Sequence, residues 1–522
     1  METLVSTICL CLILIASGAP TSAQSAKGLS ENSYKRARQV LEAGLRALGG
    51  SDTFQSTEDI SVKYRGKVFE QGQSANPEAS YDVRQEEGIR IIDIRGKRSS
   101  LELKTNYRGG DPYWGRQVLN DKSGFTLDLT TNVAYPIASS AVASRTRSVQ
   151  RLFPHLLLQE ALSRAGTLRW LADGAEGRQE QVITFADVGG NQIGLYFDGR
   201  THLLTKFESL GDDPIFGDVL WEICFSDYRE VAGLKVPTSV IFKYAGKIIS
   251  DLTYVDIEVN TRPAAEVFQV PSGFQQGPET LGPLSPSMTK LAEGVYFVNG
   301  MSGGAVWFYS QLLVAFKDYV LVVESPLNNG VSQAVIAKIS ELIPGKPIRY
   351  LVPTHYHFDH LGGIREYISE GATVVTTTGN KGLIERIAAA PHTIRPDALS
   401  QTGRKPLIET FTGKRTFSDG KRTVEFYDIG RGPHAEEMII AYLPQEKIAF
   451  VSDLCMTRIK GKMPPASDTN LDFDQKIRQL NLQIQTIANG HGWIGTMEDF
   501  RKGLQKPVAR KKLSFDDFVG EM

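Results

Sequence analysis

The sequence has little cysteine, almost no net charge and no apolar run long enough to cross a bilayer. Four cysteines occur in 522 residues, and Cys9 and Cys11 lie in an apolar N-terminal segment. Only Cys224 and Cys455 remain elsewhere, which excludes a disulfide-stabilised scaffold. The formal net charge of −1 leaves no global field that would recruit nucleic acid or acidic lipid.

The N-terminal segment is typical of an export signal. Its apolar run extends from Leu4 to Ala16, which is shorter than the roughly 20 residues of a membrane-spanning helix. Small residues follow, ending at Ala23, and they predict a signal peptide over residues 1–23 and a periplasmic or secreted mature chain without a membrane span. Because Glu2 precedes the run and no Lys or Arg does, an uncleaved N-terminal anchor is the alternative.

The rest of the chain is too long for one hydrophobic core and predicts at least two domains. A helix ending at Gly49-Gly50 comes first, and alternating apolar and polar residues with Gly-containing turns then fill residues 58–270. This alternating pattern predicts a β-rich antiparallel domain over residues 29–271. In "LTYVDIEVN" the alternation predicts one shared face for Thr253, Val255, Ile257 and Val259.

A segment rich in Pro, Gly and Ser predicts a linker at residues 272–287. Beyond it, short apolar strands such as "YVLVVESP" alternate with helical stretches such as "QAVIAKISELI". That order predicts a layered α/β domain over residues 288–500. Residues 501–522 are interpreted as a solvated tail.

The segment "PTHYHFDHLGG" concentrates polar side chains between a buried strand and the next helix. Its candidate ligands are His355, His357, Asp359 and His360. Loops between such elements let side chains converge, and imidazole with carboxylate suits Zn²⁺ or, less selectively, iron or manganese. One cluster cannot complete two coordination spheres, so further ligands are expected from strand ends or Gly-rich turns: His434, Asp453 and His491.

Histidine usage supports a metal site. The chain has eight histidines, and five of them belong to this candidate set. We interpret the other three as ordinary core or surface residues: His155, His202 and His392.

These residues carry a family resemblance. "THYHFDHLGG" resembles the H-x-H-x-D-H signature of the metallo-β-lactamase superfamily, and "GPHAEEMIIAYLPQEKIAFVSD" and "NGHG" resemble its later ligand segments. The resemblance covers residues 288–500 and implies an αββα sandwich with metals at one edge of the two sheets. It implies His355, His357 and His434 as ligands of a first metal. It implies Asp359, His360 and His491 for a second metal, and Asp453 as a bridge between both.

Two positions depart from the superfamily pattern. Ser452 stands where glycine usually precedes the bridging aspartate, and we expect its small side chain to be tolerated. Glu324 stands in a turn that usually contains aspartate. It either orients a metal-bound histidine as an outer hydrogen-bond acceptor or has lost that role.

The resemblance implies a hydrolase with two zinc ions per chain and no other cofactor, and the predicted signal peptide adds that it is exported. A hydroxide shared by the ions would attack an ester, lactone, thioester or amide of a small-molecule substrate, with Asp359 as the catalytic residue that orients it. Antibiotic-hydrolysing branches generally lack the bridging aspartate, so the sequence argues against a dedicated β-lactamase. Aromatic residues near the expected mouth of the site are candidate pocket walls: Trp307, Tyr309 and Trp493.

Two other functions stay open. A mononuclear iron oxidoreductase of the same superfamily is one, although the full second-metal set argues against it. The other is a binding protein with an inactive metal domain, because "ALGG", "YREVAGLKVPTSVIF" and "FQVPSGF" weakly resemble periplasmic lipoprotein-carrier half-barrels. Such curved sheets hold a hydrophobic ligand or a partner, and a plain packing module is the competing interpretation of this domain.

Overall fold

A computed structural model describes residues 28–106, 112–173, 180–281, 286–302, 308–457 and 466–505. The predicted signal peptide, most of the predicted tail and Trp307 lie outside these residues. Within the described ranges, no helix is both long and apolar enough to cross a membrane.

The N-terminal region is dominated by one large sheet. Its helices are α1 (Leu29–Ala47), α2 (Gly50–Gln55), α3 (Ser139–Gln150) and α4 (Pro154–Ser163), with 3₁₀ turns at Ala165–Thr167 and Ala265–Phe268. Its strands are β1 (Asp59–Glu70), β2 (Asp82–Asp93), β3 (Arg98–Asn106), β4 (Pro112–Leu119), β5 (Gly124–Asp128), β6 (Val133–Ile137), β7 (Arg169–Asp173), β8 (Glu180–Ala186), β9 (Gln192–Asp198), β10 (Leu204–Asp213), β11 (Gly217–Val231), β12 (Leu234–Tyr244), β13 (Lys247–Val259) and β14 (Gln275–Gln276).

These strands form a sheet in the order β14-β6-β5-β4-β3-β2-β1-β13-β12-β11-β10-β9-β8-β7, antiparallel except for the β14–β6 pair. Helix α1 buries Ala37, Leu41 and Leu45 against it, at the spacing of one helical face. The predicted β-rich N-terminal region is confirmed. Strand β14 lies within the segment predicted as a linker.

One face prediction in this sheet is wrong. Leu252, Tyr254 and Ile257 are buried, whereas Val255 is 45% exposed. Lys63 pairs with Asp256 and Tyr64 with Tyr254, which leaves Val255 as an extra, unpaired residue. This β-bulge shifts the side-chain alternation by one position. Val255 and Ile257 therefore lie on opposite faces of the sheet, whereas strict alternation predicts that they share one.

The C-terminal region alternates strands and helices. Its strands are β15 (Ser287–Ala292), β16 (Val295–Ser302), β17 (Phe308–Ala315), β18 (Val320–Val323), β19 (Ile348–Val352), β20 (Thr373–Thr377), β21 (Leu407–Phe411), β22 (Lys414–Ser418), β23 (Thr423–Asp428), β24 (Ile439–Leu443), β25 (Ile448–Phe450), β26 (Thr486–Ala488) and β27 (Gly495–Thr496). Its helices are α5 (Asn329–Leu342), α6 (Phe358–Leu361), α7 (Ile364–Glu370), α8 (Lys381–Ala389), α9 (Ala398–Thr402), α10 (Asp468–Gln479) and α11 (Met497–Leu504), with a 3₁₀ turn at Ser452–Leu454.

Two sheets pack face to face in this region. Strands β15 to β21 form one sheet in chain order, and β22 to β27 form the other. Phe297 and Leu312 of the first sheet share a core with Phe426 and Phe450 of the second. Helices α5, α7 and α8 bury apolar side chains against the outer face of the first sheet, and α10 and α11 cover the second. The predicted αββα sandwich, preceded by a β-rich region, is confirmed.

The two regions contact each other through loops. The β1–β2 loop, residues 71–81, reaches the segments that follow β19 and precede β24. Elsewhere, Asp212 and Asp218 of the β10–β11 hairpin accept hydrogen bonds from His392 and Thr393. The β1–β2 contact lies at the edge of the sandwich where the predicted ligands lie.

Candidate metal centre

Strand ends bring the predicted ligands to one edge of the sandwich. Strand β19 ends just before His355, and α6 begins inside the motif and carries Asp359 and His360. The other three predicted ligands follow or precede strands of the second sheet: His434 before β24, Asp453 after β25 and His491 after β26. Every one of the predicted ligands is therefore in the cluster, although they come from segments more than 130 residues apart.

The first group consists of His355, His357, His434 and Asp453, each with a ligand atom within 4.8 Å of the others. His434 Nε2 lies 3.2 Å from His355 Nε2 and 3.3 Å from Asp453 Oδ2. Two ligands of a tetrahedral zinc ion lie about 3.3 Å apart when each metal–ligand bond is about 2.0 Å. The spacing of these atoms therefore fits one zinc ion.

The second group consists of Asp359, His360 and His491. His491 Nε2 lies 3.2 Å from His360 Nε2, and Asp453 Oδ1 lies 3.1 Å from His360 Nε2. Asp453 thus turns Oδ2 toward the first group and Oδ1 toward the second. The resemblance implied a carboxylate between two metals, and this arrangement fits that role.

His357 provides independent evidence that the first group suits a metal ion. Its Nε2 lies 3.1 Å from the Ser74 carbonyl oxygen, and because a carbonyl only accepts, this nitrogen carries the proton. Its Nδ1 is then a bare lone pair. That atom is buried and has no hydrogen-bond partner within the part of the chain that the structure describes. A buried acceptor without a partner is costly unless it binds something, and a metal ion satisfies it.

The electrostatics of three ligands favour the protonation states that metal binding requires, whereas burial of His360 is outweighed by Asp453 and Glu324, which raise its pKa in the absence of an ion. Burial lowers the pKa of His357 to about 3, with His434 adding to the effect. Burial and the neighbouring His360 likewise hold the pKa of His355 well below its usual value. For Asp453, burial acts to raise the pKa, but His360 and His491 outweigh it and hold the pKa well below the ordinary value. Neutral imidazoles and an ionised carboxylate are the forms that bind metal.

Glu324 accepts hydrogen bonds from a candidate ligand and from residues next to the ligands. Its Oε2 accepts a hydrogen bond from His360 Nδ1 at 3.0 Å, so in the neutral ring that binds metal it is Nε2, on the side of Asp453, that has the free lone pair. Its Oε1 accepts from Ser452 Oγ at 3.0 Å and from the Thr354 hydroxyl. Of the two roles considered for Glu324, the structure therefore favours the outer acceptor.

Aromatic residues flank the second group. The Tyr309 hydroxyl donates to Asp359 Oδ2 at 3.2 Å, and its ring packs edge-on against His491 with centroids 4.5 Å apart. Trp493 is partly buried beside the same segment, and its backbone N–H donates to Thr457 Oγ1. Tyr309, one of the predicted pocket aromatics, therefore contacts the candidate ligands directly.

Two of the three histidines outside the candidate set, His155 and His392, have hydrogen-bond partners elsewhere in the fold. His155 is buried, and its Nε2 lies 2.9 Å from the Leu48 carbonyl oxygen. His392 Nδ1 lies 2.7 Å from Asp212 Oδ1. His202 occupies a turn with φ of 59°. These contacts agree with the structural roles expected for them.

Sequence reasoning missed the contribution of the N-terminal region. Gln73 Nε2 donates to Asp359 Oδ1 at 2.6 Å, and Ser74 accepts from His357 as described above. The stretch "EQGQSANPEAS" has the composition of an ordinary polar hairpin loop. We find no feature in it that predicts a contact with the metal ligands.

Comparison with known proteins finds one family model and several solved structures that are similar to the C-terminal region. Residues 311–502, which include all the predicted ligands, match the sequence model of the metallo-beta-lactamase superfamily. A metallo-beta-lactamase from Pontibacter korlensis is 22% identical over 43% of this chain and 100% of its own, with a TM-score of 0.34. FIM-1 from Pseudomonas aeruginosa, solved in a mono-zinc form, is 21% identical over 42% of this chain and 93% of its own, with a TM-score of 0.31. The match to the superfamily's sequence model, rather than these structures, identifies residues 311–502 as a metallo-β-lactamase superfamily domain.

Proposed function

We propose that this protein is a zinc-dependent hydrolase that binds two zinc ions per chain and cleaves an ester, lactone, thioester or amide bond. One observation carries the proposal: Asp453 directs one carboxylate oxygen to each of the two ligand groups. A carboxylate placed in this way neutralises charge on both sides and fixes the separation of two cations.

Zinc bound here would polarise a carbonyl oxygen and lower the pKa of a coordinated water toward neutrality. The chain supplies the ligands, the exclusion of bulk water and the orientation. Asp359 Oδ2 lies 3.5 Å from His360 Nε2 and 3.6 Å from His491 Nε2, so its carboxylate borders the space between the two groups. From there it can accept a hydrogen bond from an attacking water and hold that water in line with a carbonyl carbon. We assign Asp359 this role.

Metal analysis combined with a small substrate panel tests the proposal. The purified protein should contain zinc, hydrolyse at least one generic ester, thioester or lactone, lose activity with a chelator and recover it with added zinc. One iron ion and no zinc would favour the oxidoreductase. Stoichiometric zinc with no hydrolysis of any panel member would favour a binding protein.

We also propose that the protein is exported. The short apolar run and the small residues up to Ala23 support cleavage before Gln24. Mass spectrometry of the protein from its native host should find Gln24 at the N-terminus. An intact segment from Met1 to Ala16 would support the anchor instead.

A further inference from the structure

The loop between β1 and β2 belongs to the N-terminal region, yet its centre is bonded to the metal-binding segments. We name residues 72–76 the capping loop. Each of its residues makes a hydrogen bond to a ligand or to a residue within two positions of a ligand. The Gly72 carbonyl accepts from Phe358 N at 3.3 Å, and the Ala75 carbonyl accepts from Glu436 N at 2.8 Å. Asn76 Nδ2 donates to Glu436 Oε2 at 2.9 Å, and Gln73 and Ser74 contact ligands directly.

The two direct contacts fall on one ligand of each group. The Ser74 carbonyl takes the Nε2 proton of His357, and so directs the bare Nδ1 of that ring into the first group. Gln73 Nε2 holds Asp359 Oδ1, which leaves Oδ2 as the oxygen nearer to His360 and His491. Hydrogen bonds of this kind select the tautomer of a histidine ligand and the rotamer of a carboxylate ligand.

The capping loop is closely fitted to the site. Gly72 has φ of 70°, and a Cβ atom built on it would lie 2.2 Å from the Phe358 ring. The Phe358 ring also packs edge-on against Phe216 of the N-terminal region, with centroids 5.5 Å apart. A side chain at position 72 would therefore push the loop away from His357 and Asp359, because Phe358 lies between them in sequence and is held on its other side.

We propose that the capping loop is an integral part of the metal centre, in which the Ser74 carbonyl positions His357 and the Gln73 amide positions Asp359. The N-terminal region is then required for tight metal binding, beyond any role as a packing module. This inference rests on the proposed metal site and not on the proposed reaction, so it is tested by metal affinity.

Gln73→Glu is the sharpest test. It keeps the size of the side chain but replaces the N–H donor by a carboxylate, which cannot donate to Asp359. Zinc affinity of the full chain, measured by competition with a chromophoric chelator, should fall about tenfold or more for one of the two ions. The matched control is Gln71→Glu, in the β1–β2 loop but outside the capping loop, because the Gln71 amide donates to Tyr81 OH rather than to a ligand. The control should bind both ions as the wild type does.

A spectroscopic readout separates positioning from simple packing. With cobalt in place of zinc, Gln73→Glu should change the visible absorption bands, which report coordination geometry, and Gln71→Glu should not. A Gln73→Glu protein with wild-type affinity and an unchanged cobalt spectrum would overturn the role of Gln73. If the wild type binds two ions and Gln73→Glu binds them equally well, the role of the capping loop is refuted, but the proposed metal site and function are not. If the wild type binds no metal, the proposed function fails with it.

The Ser74 contact uses a backbone atom, so it is tested through Gly72. Gly72→Ala should weaken binding of both ions, because moving the loop releases both His357 and Asp359. Gly190→Ala is the control, since Gly190 also has a positive φ, of 81°, but nothing lies within 4 Å of its added Cβ. Both variants carry a similar backbone cost, and circular dichroism checks that both fold. Equal zinc affinity in the two variants would contradict the proposed role of the loop.

Discussion

Ser452 Oγ donates a hydrogen bond to Glu324 Oε1 at 3.0 Å, and both residues have positive φ, 49° for Ser452 and 79° for Glu324. Such backbone conformations cost about 1–3 kcal/mol each for residues other than glycine and persist where the surroundings enforce them. Here they place a buried carboxylate beneath His360 and direct Asp453 into the cluster. The two strained residues thus adjoin the candidate ligands: Ser452 precedes Asp453 in sequence, and Glu324 accepts a hydrogen bond from His360.

Glu324→Gln should weaken zinc binding with little loss of fold. The neutral amide is a poorer acceptor for His360 Nδ1, so the affinity of the second group should fall about 10- to 100-fold. Chelator competition measures this, and Glu385→Gln is the control because its side chain is half exposed, in an ion pair with Lys381. Glu324→Gln with unaltered affinity would show that His360 needs no outer acceptor.

Ser452→Gly should be nearly neutral. Relief of the backbone strain, about 1 kcal/mol, offsets the loss of a hydrogen bond worth about 1 kcal/mol. Both zinc ions should remain, and the free energy of unfolding in denaturant should change by less than about 1 kcal/mol. Ser452→Val should instead lose metal and stability, because a β-branched residue is strained at this φ. A Ser452→Val protein with wild-type metal content would contradict this account.

His357→Ala and His155→Ala should have opposite effects. His357→Ala should fold, lack at least one metal ion and lose activity, because the packing below the motif comes from Leu351 and Val352. His155→Ala should keep both ions but lose about 1–3 kcal/mol of unfolding free energy, since it leaves a cavity where the buried ring stacks on Phe54 and removes one of the two hydrogen bonds to the Leu48 carbonyl. Metal analysis and denaturant unfolding on both variants check this. A folded, metal-free His357→Ala enzyme with the wild-type rate would contradict the proposed mechanism.

Asp397→Asn should destabilise the C-terminal region without removing metal. Asp397 accepts two hydrogen bonds from the buried Arg365 guanidinium, at 2.5 and 2.9 Å. Loss of the carboxylate leaves that charge unpaired, at a cost of about 3 kcal/mol. Glu341→Gln is the control, because its partner Lys338 is on the surface, and it should change the unfolding free energy by less than about 1 kcal/mol.

The cost of Asp397→Asn should depend on pH. Burial acts to raise the pKa of Asp397, but hydrogen bonds from Arg365 and Ser400 outweigh it, and the folded-state pKa lies below the ordinary value. A carboxylate with a lowered pKa stabilises the fold fully above its unfolded pKa of about 3.9, and the effect disappears as pH falls toward the folded-state value. Denaturant unfolding at pH 7 and pH 3 should therefore show a smaller difference at pH 3. An equal difference would contradict the assigned pKa.

The sequence predicts most of this site because the ligand motif is local. His355 to His360 lie within six positions after an apolar strand, and that spacing alone indicates metal chemistry. The contact between Gln73 and Asp359 joins residues 286 positions apart, and it depends on how the N-terminal and C-terminal regions pack. The bulge at Val255 was missed for a related reason, since only the pairing with β1 reveals the extra residue. Packing between distant segments leaves no periodic pattern in either segment.

The most direct test is the metal content of the purified full-length protein, measured by inductively coupled plasma mass spectrometry beside the Asp453→Ala variant. We expect two zinc ions per chain in the wild type. In the variant both ligand groups should lose zinc, because Asp453 directs one oxygen to each of them. One iron ion and no zinc in the wild type, or two zinc ions retained by Asp453→Ala, would contradict a dinuclear zinc centre.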